Sequence, residues 1–330
     1  MAAMSAVWSR KFSNFEFLNS AYITLLPKKD DATSIKDYGP ISLVHSFAKL
    51  VTKLLDNRLA SRLDQLVTPN QSAFIKGRFI LDNFMLVQQT TNFLHKQKQA
   101  RILLKLDITK AFDSVSWSFL LEVLQRIGFG QIWRDIISGL LASSTQILLN
   151  GLPGGRIEHH RGLRQGDPLS PMLFILVMDV LCLLIQKASE EELLQPLARR
   201  ALQHRISLYA DDVVIFLRPA ASDIRITLDI LELFGEASGL RTNVQKSSVH
   251  PIQCLEEDLA VMLTHLPCQI SDFPCKYLGV PLSPHKLTRA QIQPIIDKFA
   301  DKLPGWKADL LNKAGRKVLV QFVLTSMLST

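Results

Sequence analysis

The spacing of apolar residues changes several times along the chain, and each change predicts an element. Tyr22 to Leu26 is a short apolar stretch running into the basic turn Pro27-Lys28-Lys29-Asp30, and it predicts a strand. From His45 to Leu66, the residues Phe47, Leu50, Val51, Leu54, Leu55, Leu59 and Leu63 recur at helical spacing and predict a long amphipathic helix. Leu81 to Leu94 is a second helical candidate. Ile102 to Ile108 reads as a strand with Asp107 near its C-terminal end. After an irregular turn, Phe119, Leu120, Val123, Leu124 and Ile127 follow a helical period that Gly128 stops. Ser170-Pro171 is a helix start, with a cap followed by proline at the first helical position, and the helix is predicted to run to about Lys187. Ile224 to Ala237 is helical again with Ser238-Gly239 as its stop, and Lys302 to Leu328 is apolar-periodic with several basic residues. The class is α+β, without internal repeat, low-complexity tract or evident linker.

One stretch, ISLYADDVVIFL, sets two adjacent carboxylates between two apolar runs. In a continuous strand Asp211 and Asp212 would point to opposite faces. A hairpin turning at Ala210-Asp211-Asp212 would project both from one end, and a merely solvated turn is the alternative. Asp107 also lies beside a strongly apolar strand. If the strands are neighbours in one sheet, three carboxylates meet, and their mutual repulsion calls for cations. An all-oxygen ligand set favours Mg²⁺ or Mn²⁺. Two such ions can activate a 3′-hydroxyl and stabilise a leaving pyrophosphate, which points to metal-assisted phosphoryl transfer.

Composition narrows the classes further. With 330 residues, 47% hydrophobic and 21% charged, the chain is globular, with room for one large domain or two to three smaller ones. The net charge of +8 is uneven: residues 1–100 carry 13 Lys/Arg against 7 Asp/Glu, whereas residues 101–250 carry 16 of each. A basic leading segment suits a polyanion such as nucleic acid, and a solubilising surface is the plainer alternative. Cys182, Cys254, Cys268 and Cys275 have no zinc-site spacing and are expected to be reduced, mostly buried thiols of an intracellular protein. No secretory signal is evident. The most apolar run, Met172 to Ile185, is interrupted by Asp179 and is expected to be a core helix too short for a bilayer. The expectation is a non-membrane protein of nucleus or cytoplasm.

The stretches KLDITKAFDSVSW, GLRQGDPLSPMLFILVMDVL, YADD, SGLRTNVQKS and YLGVPL resemble the successive motifs of reverse transcriptases, in the order that family requires. LLPKKD, YGPISL, QSAFIKGRFILDN and GWKADLLNKAGRKVLV are similar to the non-LTR (LINE-type) retroelement branch, especially its plant members. The resemblance runs from about Asn19 to the C-terminus. It implies a right-hand polymerase fold whose palm is an antiparallel sheet backed by helices, from a βαββαβ-like core. It assigns the fingers to residues 1–100, the palm with remaining fingers elements to 101–282, and the start of a thumb or connection to 283–330. The implied reaction is RNA-directed DNA synthesis. Its partners would be an RNA template, a DNA primer and deoxynucleoside triphosphates, with two Mg²⁺ ions, Mn²⁺ being able to replace them.

By the same resemblance, Asp107, Asp211 and Asp212 are the metal-binding acids, and the backbone carbonyl of Ile108 is a further ligand. Phe112 occupies the position of an aromatic gate against a ribose 2′-hydroxyl, with a core phenylalanine as the alternative. Asp113 fits a turn or a helix N-terminal charge equally well. Gln165 and Gly166 correspond to the loop supporting base and template. Arg164 could meet phosphate or template backbone, unless it is a plain surface arginine. Lys246 corresponds to a lysine that protonates pyrophosphate, or is simply solvated. Tyr277-Leu278-Gly279-Val280 resembles the primer-gripping hairpin.

Lys28 matches the lysine that contacts the triphosphate, but its usual arginine companion is replaced by Gly39 in YGPISL. Losing a charge-assisted contact would weaken nucleotide use by about 1.5–3 kcal/mol, with Lys29 or Lys36 as partial substitutes. No endonuclease-like sequence precedes the polymerase motifs, and no RNase H or Cys/His knuckle follows them. After Trp306 the chain is expected to cover only the beginning of the thumb connection, and since a thumb is needed to hold the duplex, the expected synthesis is weak or distributive. The rival readings are a degenerate, catalytically weak or inactive nucleic-acid-binding remnant and, behind it, a maturase-like RNA-binding protein. The intact acids favour the enzyme; Gly39 and the short C-terminal part favour the remnant.

Overall fold

The structure, a computed structural model, describes residues 19–198, 202, 204–266, 268–302 and 312–318. Strands β1 (Ser20–Pro27) and β2 (Tyr38–Val44) lead into helices α1 (Ser46–Leu66) and α2 (Ile80–Lys96). Strand β3 (Arg101–Leu106) is followed by the single turn α3 (Ala111–Ser114) and by α4 (Trp117–Ile127) and α5 (Gln131–Leu141). A hairpin of β4 (Ser144–Leu149) and β5 (Leu152–Glu158) precedes the long helix α6 (Ser170–Glu190). Then come β6 (Ile206–Tyr209), β7 (Asp212–Leu217), α7 (Ala221–Ser238), β8 (Ser248–Ile252), α8 (Glu256–His265) and β9 (Gln269–Ile270). A short hairpin of β10 (Cys275–Tyr277) and β11 (Val280–Leu282) is followed by α9 (Arg289–Lys302) and α10 (Lys313–Val318). Apart from Lys302, Asn312 and α10, the predicted segment Lys302 to Leu328, with Trp306, lies outside the described residues.

The central sheet has the order β6-β7-β3-β8-β9. Its pairs are antiparallel except β8 with β9. Strand β3 lies in the middle, with Leu103 opposite Phe216 on one side and His250 on the other. Its side chains alternate: Ile102, Leu104 and Leu106 face a core with Phe174, Val177 and Leu181 of α6 and with Ile224 and Phe234 of α7. Leu103, Val214 and Phe216 face a second core with Val87 and Leu94 of α2 and Cys275, Tyr277 and Leu282 of the last hairpin. Burial on both faces is why β3 reads as an apolar run from Ile102 to Leu106, interrupted only by the half-buried Lys105. The order β8-β3-β7-β6 is that of a split βαβ unit, which agrees with the predicted βαββαβ-like core. The parallel edge strand β9 was not anticipated.

A second sheet, β2-β1-β4-β5, is mixed: β1 pairs antiparallel with β2 and parallel with β4. Only β1 was predicted there. Strand β5 (LPGGRIE) holds a proline and two glycines and is exposed throughout, so it carries no alternation to detect.

Three boundaries differ from expectation. Strand β3 ends at Leu106, leaving Asp107 one residue beyond it. The β6–β7 turn has two residues, Ala210 and Asp211, because Asp212 already pairs with Tyr209. Leu169, not Ser170, takes the cap position of α6. That helix has 21 residues and is long and apolar enough to cross a membrane, contrary to the length estimate, yet 67% of its apolar window is buried inside the protein. Asp179 is tolerated within it because Thr68 donates both its N–H and its hydroxyl, the latter at 2.6 Å. The four cysteines are free, Cys182 and Cys275 buried and the other two half-buried.

Candidate active site

The last β3–β7 pair is Leu106 with Val213, so continuing the register by one step brings Asp107 beside Asp212. The two-residue turn then places Asp211 next to Asp212, with Ala210 in the left-handed region at φ +53°. All three acids therefore stand at one end of the central sheet. Asp107 and Asp212 are half-buried and Asp211 is exposed. Burial pushes the Asp212 carboxyl above its ordinary range; Lys105 opposes this, and the negative charges of Asp211 and Asp107 push it up further. Among the described residues no three carboxylate, imidazole or thiol groups share one ligating point. The residue types nevertheless suit a hard divalent cation: three carboxylates at one sheet end, one of them raised in pKa by burial and then by its neighbours, would be relieved by positive charge.

The segment 241–247 laps over the end of β3 and holds the Asp107 backbone from both sides. The Asp107 N–H donates to Ser247 Oγ at 3.1 Å, and its carbonyl accepts from the Asn243 N–H at 2.7 Å. Ser247 Oγ donates in turn to the Asn243 carbonyl at 2.7 Å, and the Thr109 N–H reaches the Arg241 carbonyl at 2.9 Å. Ile108 bridges Thr242 through these flanking bonds, which leave its own carbonyl out of the pairing. Lys246 lies on the same segment with an exposed side chain. Sequence reasoning missed Ser247 and Asn243, although both sit within the SGLRTNVQKS motif, because nothing in spacing marks a side chain that bonds to backbone, as Ser247 does, or a residue that acts through its main chain, as Asn243 does.

A second group gathers around α3. The loop 162–167 is tied there by Gly162 N–H to the Val115 carbonyl and Leu163 N–H to the Phe112 carbonyl, each at 2.7 Å. Gly162 is required: a Cβ there would lie 2.6 Å from the Asp113 carbonyl oxygen, and its φ is +86°. The half-buried Phe112 ring stacks on Phe174 with centroids 4.5 Å apart, so it joins the core while keeping part of its surface open. Gln165 Nε2 donates to Asp113 Oδ1 at 3.3 Å, and Gly166 follows with φ +80° and open space beside it. Arg164 is not a plain surface arginine. It is half-buried, its Nη2 donates to the Asn19 carbonyl at 2.7 Å, and Asn19 Nδ2 donates to the carbonyls of Gly139, Leu140 and Ala142. Burial lowers the Arg164 pKa, which Asp167 partly offsets. A cleft of about 310 Å³ opens here, lined by Ile23, Pro40, Asp113, His159, Gln165 and Asp167 among others.

Lys28 lies at the β1–β2 end and is exposed. Gly39 pairs with Leu26, and a Cβ on it would stand 3.4 Å from Lys28 Cε. The position of the missing arginine is thus directly beside Lys28. Lys29 is ion-paired with Asp37 at 3.0 Å, so it is not a free substitute. The side chain of Lys36 lies outside the described residues. Among the described residues no ion pair joins the Lys28 or Lys246 ammonium to the three acids.

Comparisons with known proteins bear on this geometry. The family described as "Reverse transcriptase (RNA-dependent DNA polymerase)" matches residues 26–282. The uncharacterized 149 kDa protein of transposon TX1 of Xenopus laevis is 32% identical over 324 residues, covering 93% of this chain and 24% of that protein. A Pol polyprotein of the retrotransposable element R2 of Popillia japonica is 32% identical over 166 residues, 49% of this chain and 23% of its own length. The chain thus spans about a quarter of the length of these curated relatives. The structure of telomerase from Candida albicans is similar with a TM-score of 0.50 and 12% identity, over 91% of this chain and 52% of that one, a likeness of fold. The remnant reading finds no support in these likenesses, and the family generally works with divalent metal ions. By the family match over most of its length, and by its transposon relatives, the chain belongs to the reverse transcriptase family as a domain of the non-LTR retrotransposon type.

Proposed function

We propose that this domain extends a DNA primer on an RNA template, adding deoxynucleotides from their triphosphates. The observation that carries the reading is the convergence of Asp107, Asp211 and Asp212 at one end of the central sheet through the β3–β7 register and a two-residue turn. Asp107, Asp211 and Asp212 would hold a pair of Mg²⁺ ions, with the Ile108 carbonyl as a further oxygen. When bound, the pair supplies activation of the primer 3′-hydroxyl and charge stabilisation on the departing pyrophosphate. Lys246 donates a proton to that pyrophosphate. Lys28 binds the triphosphate, and Phe112 sets the ribose against its half-exposed ring, excluding a 2′-hydroxyl by contact. Gln165 and Gly166 support base and template, with Asp113 holding the Gln165 amide; Arg164 acts through Asn19 to seat the start of β1 beside that loop. In this reading the β2-β1-β4-β5 sheet with α1 and α2 forms the fingers, the central sheet the palm, and the stretch from residue 283 the start of the thumb.

The test is primer extension by the whole chain on an RNA template with Mg²⁺ or Mn²⁺, beside Asp211→Asn and Asp212→Asn. Extension by the wild type and its loss in both variants is the expected result. Incorporation no greater than in the variants overturns the polymerase reading.

A further inference from the structure

The turn Ala210-Asp211 hangs from β6, the edge strand of the central sheet. An exposed strand edge leaves peptide groups without partners. Here the stretch following α1 covers it. The Leu208 N–H donates to the Asn70 carbonyl at 2.9 Å and the Ser72 N–H to the Leu208 carbonyl at 3.3 Å. Asn70 Nδ2 donates to the Ile206 carbonyl at 2.8 Å, and Asn83 Nδ2 to the Leu208 carbonyl at 2.6 Å.

One side chain of this stretch continues past the strand to the turn. Gln71, 0% exposed, accepts the Ala210 N–H on its Oε1 at 3.2 Å while the same oxygen accepts the Ala73 N–H at 2.9 Å. Both partners are donors, which fixes the amide with its oxygen toward them. Its Nε2 has no partner among the described residues. The amide therefore serves this place through its acceptor alone. Its own backbone is secured as well: Arg78 Nη1 donates to the Gln71 and Thr68 carbonyls, and Arg78 Nε and Nη2 donate to Asp64 Oδ1 at 3.0 and 2.9 Å. A chain of bonds thus runs from the end of α1 through Arg78 and Gln71 to the N–H of Ala210, the residue preceding Asp211. Ala210 is an L-residue at positive φ, a conformation that calls for outside restraint.

We propose that Gln71 is a positioning residue for the acidic turn: its carbonyl oxygen fixes Ala210 and thereby the approach of Asp211 and Asp212 to a shared cation. The inference rests on the two acids being metal ligands, as in the function proposed above.

The test is Mn²⁺ binding to the whole chain, read from the free-ion electron paramagnetic resonance signal, with thermal unfolding in parallel. Gln71→Met keeps the length and removes the acceptor; Gln71→Asn keeps a polar amide too short to reach Ala210; Gln71→Glu keeps the acceptor. The expected result is a Kd raised about 10-fold in the Met and Asn variants, in the range for groups that orient metal ligands. Gln71→Glu is expected to stay nearer the wild type, and Asp212→Asn to lose the site. Hydrogen exchange at the Ala210 amide should quicken in the Met and Asn variants, and the Asn variant carries the test if the Met variant does not fold. Unchanged Mn²⁺ affinity in both, with Asp212→Asn inactive in binding, overturns the proposal; so does a lowered Tm with unchanged affinity. Wild-type binding by Asp212→Asn would instead remove the metal reading, and the role of Gln71 with it.

Discussion

Ser247 shows how much one hydroxyl can decide. It is 1% exposed, accepts the Asp107 N–H and donates to the Asn243 carbonyl. Ser247→Ala leaves the Asp107 N–H without this acceptor and is expected to destabilise the domain by about 1–3 kcal/mol. Denaturant unfolding measures this, with Ser247→Thr expected to retain most of the stability. Lys105 acts on the same site through charge. Asp212 is raised above its ordinary carboxylate pKa, chiefly by burial, so its neutral form is favoured in the folded state. Its contribution to stability is therefore largest at low pH and is lost as pH rises through the raised pKa. Cation binding needs the ionised form and so follows the opposite course, failing as pH falls through that pKa. Lys105 is the counterweight holding the value down. Lys105→Met is expected to move the acid limb of divalent-cation binding to higher pH. A pH profile of Mn²⁺ affinity with its limb unmoved would exclude this role.

Among the elements, those with two buried faces or a clear helical stripe were legible in the sequence. Strand β3 and helices α1, α2, α4 and α7 fall where the apolar spacing puts them, and Gly128 and Gly239 end their helices at positive φ. Strands β2, β4 and β5 were not, since Tyr38–Val44 holds a glycine and a proline and β5 is exposed along its length. The acids were legible because their residue types and flanking strands are unusual together. Ser247 and Gln71 were not, because a polar side chain facing a backbone N–H leaves no periodic trace, nor was Asn243, which acts through its main chain. The β1–β2 pairing also gives Gly39 a testable meaning. An arginine there would emerge from the strand beside Lys28, with 3.4 Å from its Cβ to Lys28 Cε, an ordinary contact. Gly39→Arg is expected to lower the KM for nucleotide with kcat little changed, by about 10-fold to 150-fold, the equivalent of one charge-assisted contact. Steady-state primer extension over a range of nucleotide concentrations measures it, and an unmoved KM separates position 39 from the triphosphate.

At the level of the molecule, charge and architecture divide the chain in a related way. The excess of Lys and Arg lies in residues 1–100, which supply β1, β2, α1 and α2, while residues 101–250, which supply most of the central sheet, are neutral. A polyanion would thus be held mainly by the leading segment and worked on beside the acids. Binding of a primer–template is expected to weaken steeply with salt, by about 10-fold or more between 50 and 200 mM. Asp211→Asn and Asp212→Asn should bind it at least as well as the wild type, since each removes a negative charge. Salt titrations of a fluorescent duplex measure both, and a flat salt response would place the binding elsewhere than on basic groups.

The parallel pairing of β1 with β4 carries a consequence for synthesis on the ribosome. Ser20 lies in register with Ser144, so more than a hundred residues must emerge before β1 meets its second neighbour. During that interval the β1–β2 hairpin has an open edge on the β1 side, with Tyr22 and Leu26 surface-exposed even in the finished fold. An apolar edge waiting for a distant partner folds slowly and invites self-association. The nascent chain therefore carries an aggregation hazard at this edge until the β4–β5 hairpin is made, and a chaperone acting on the β1–β2 hairpin would be useful over that span.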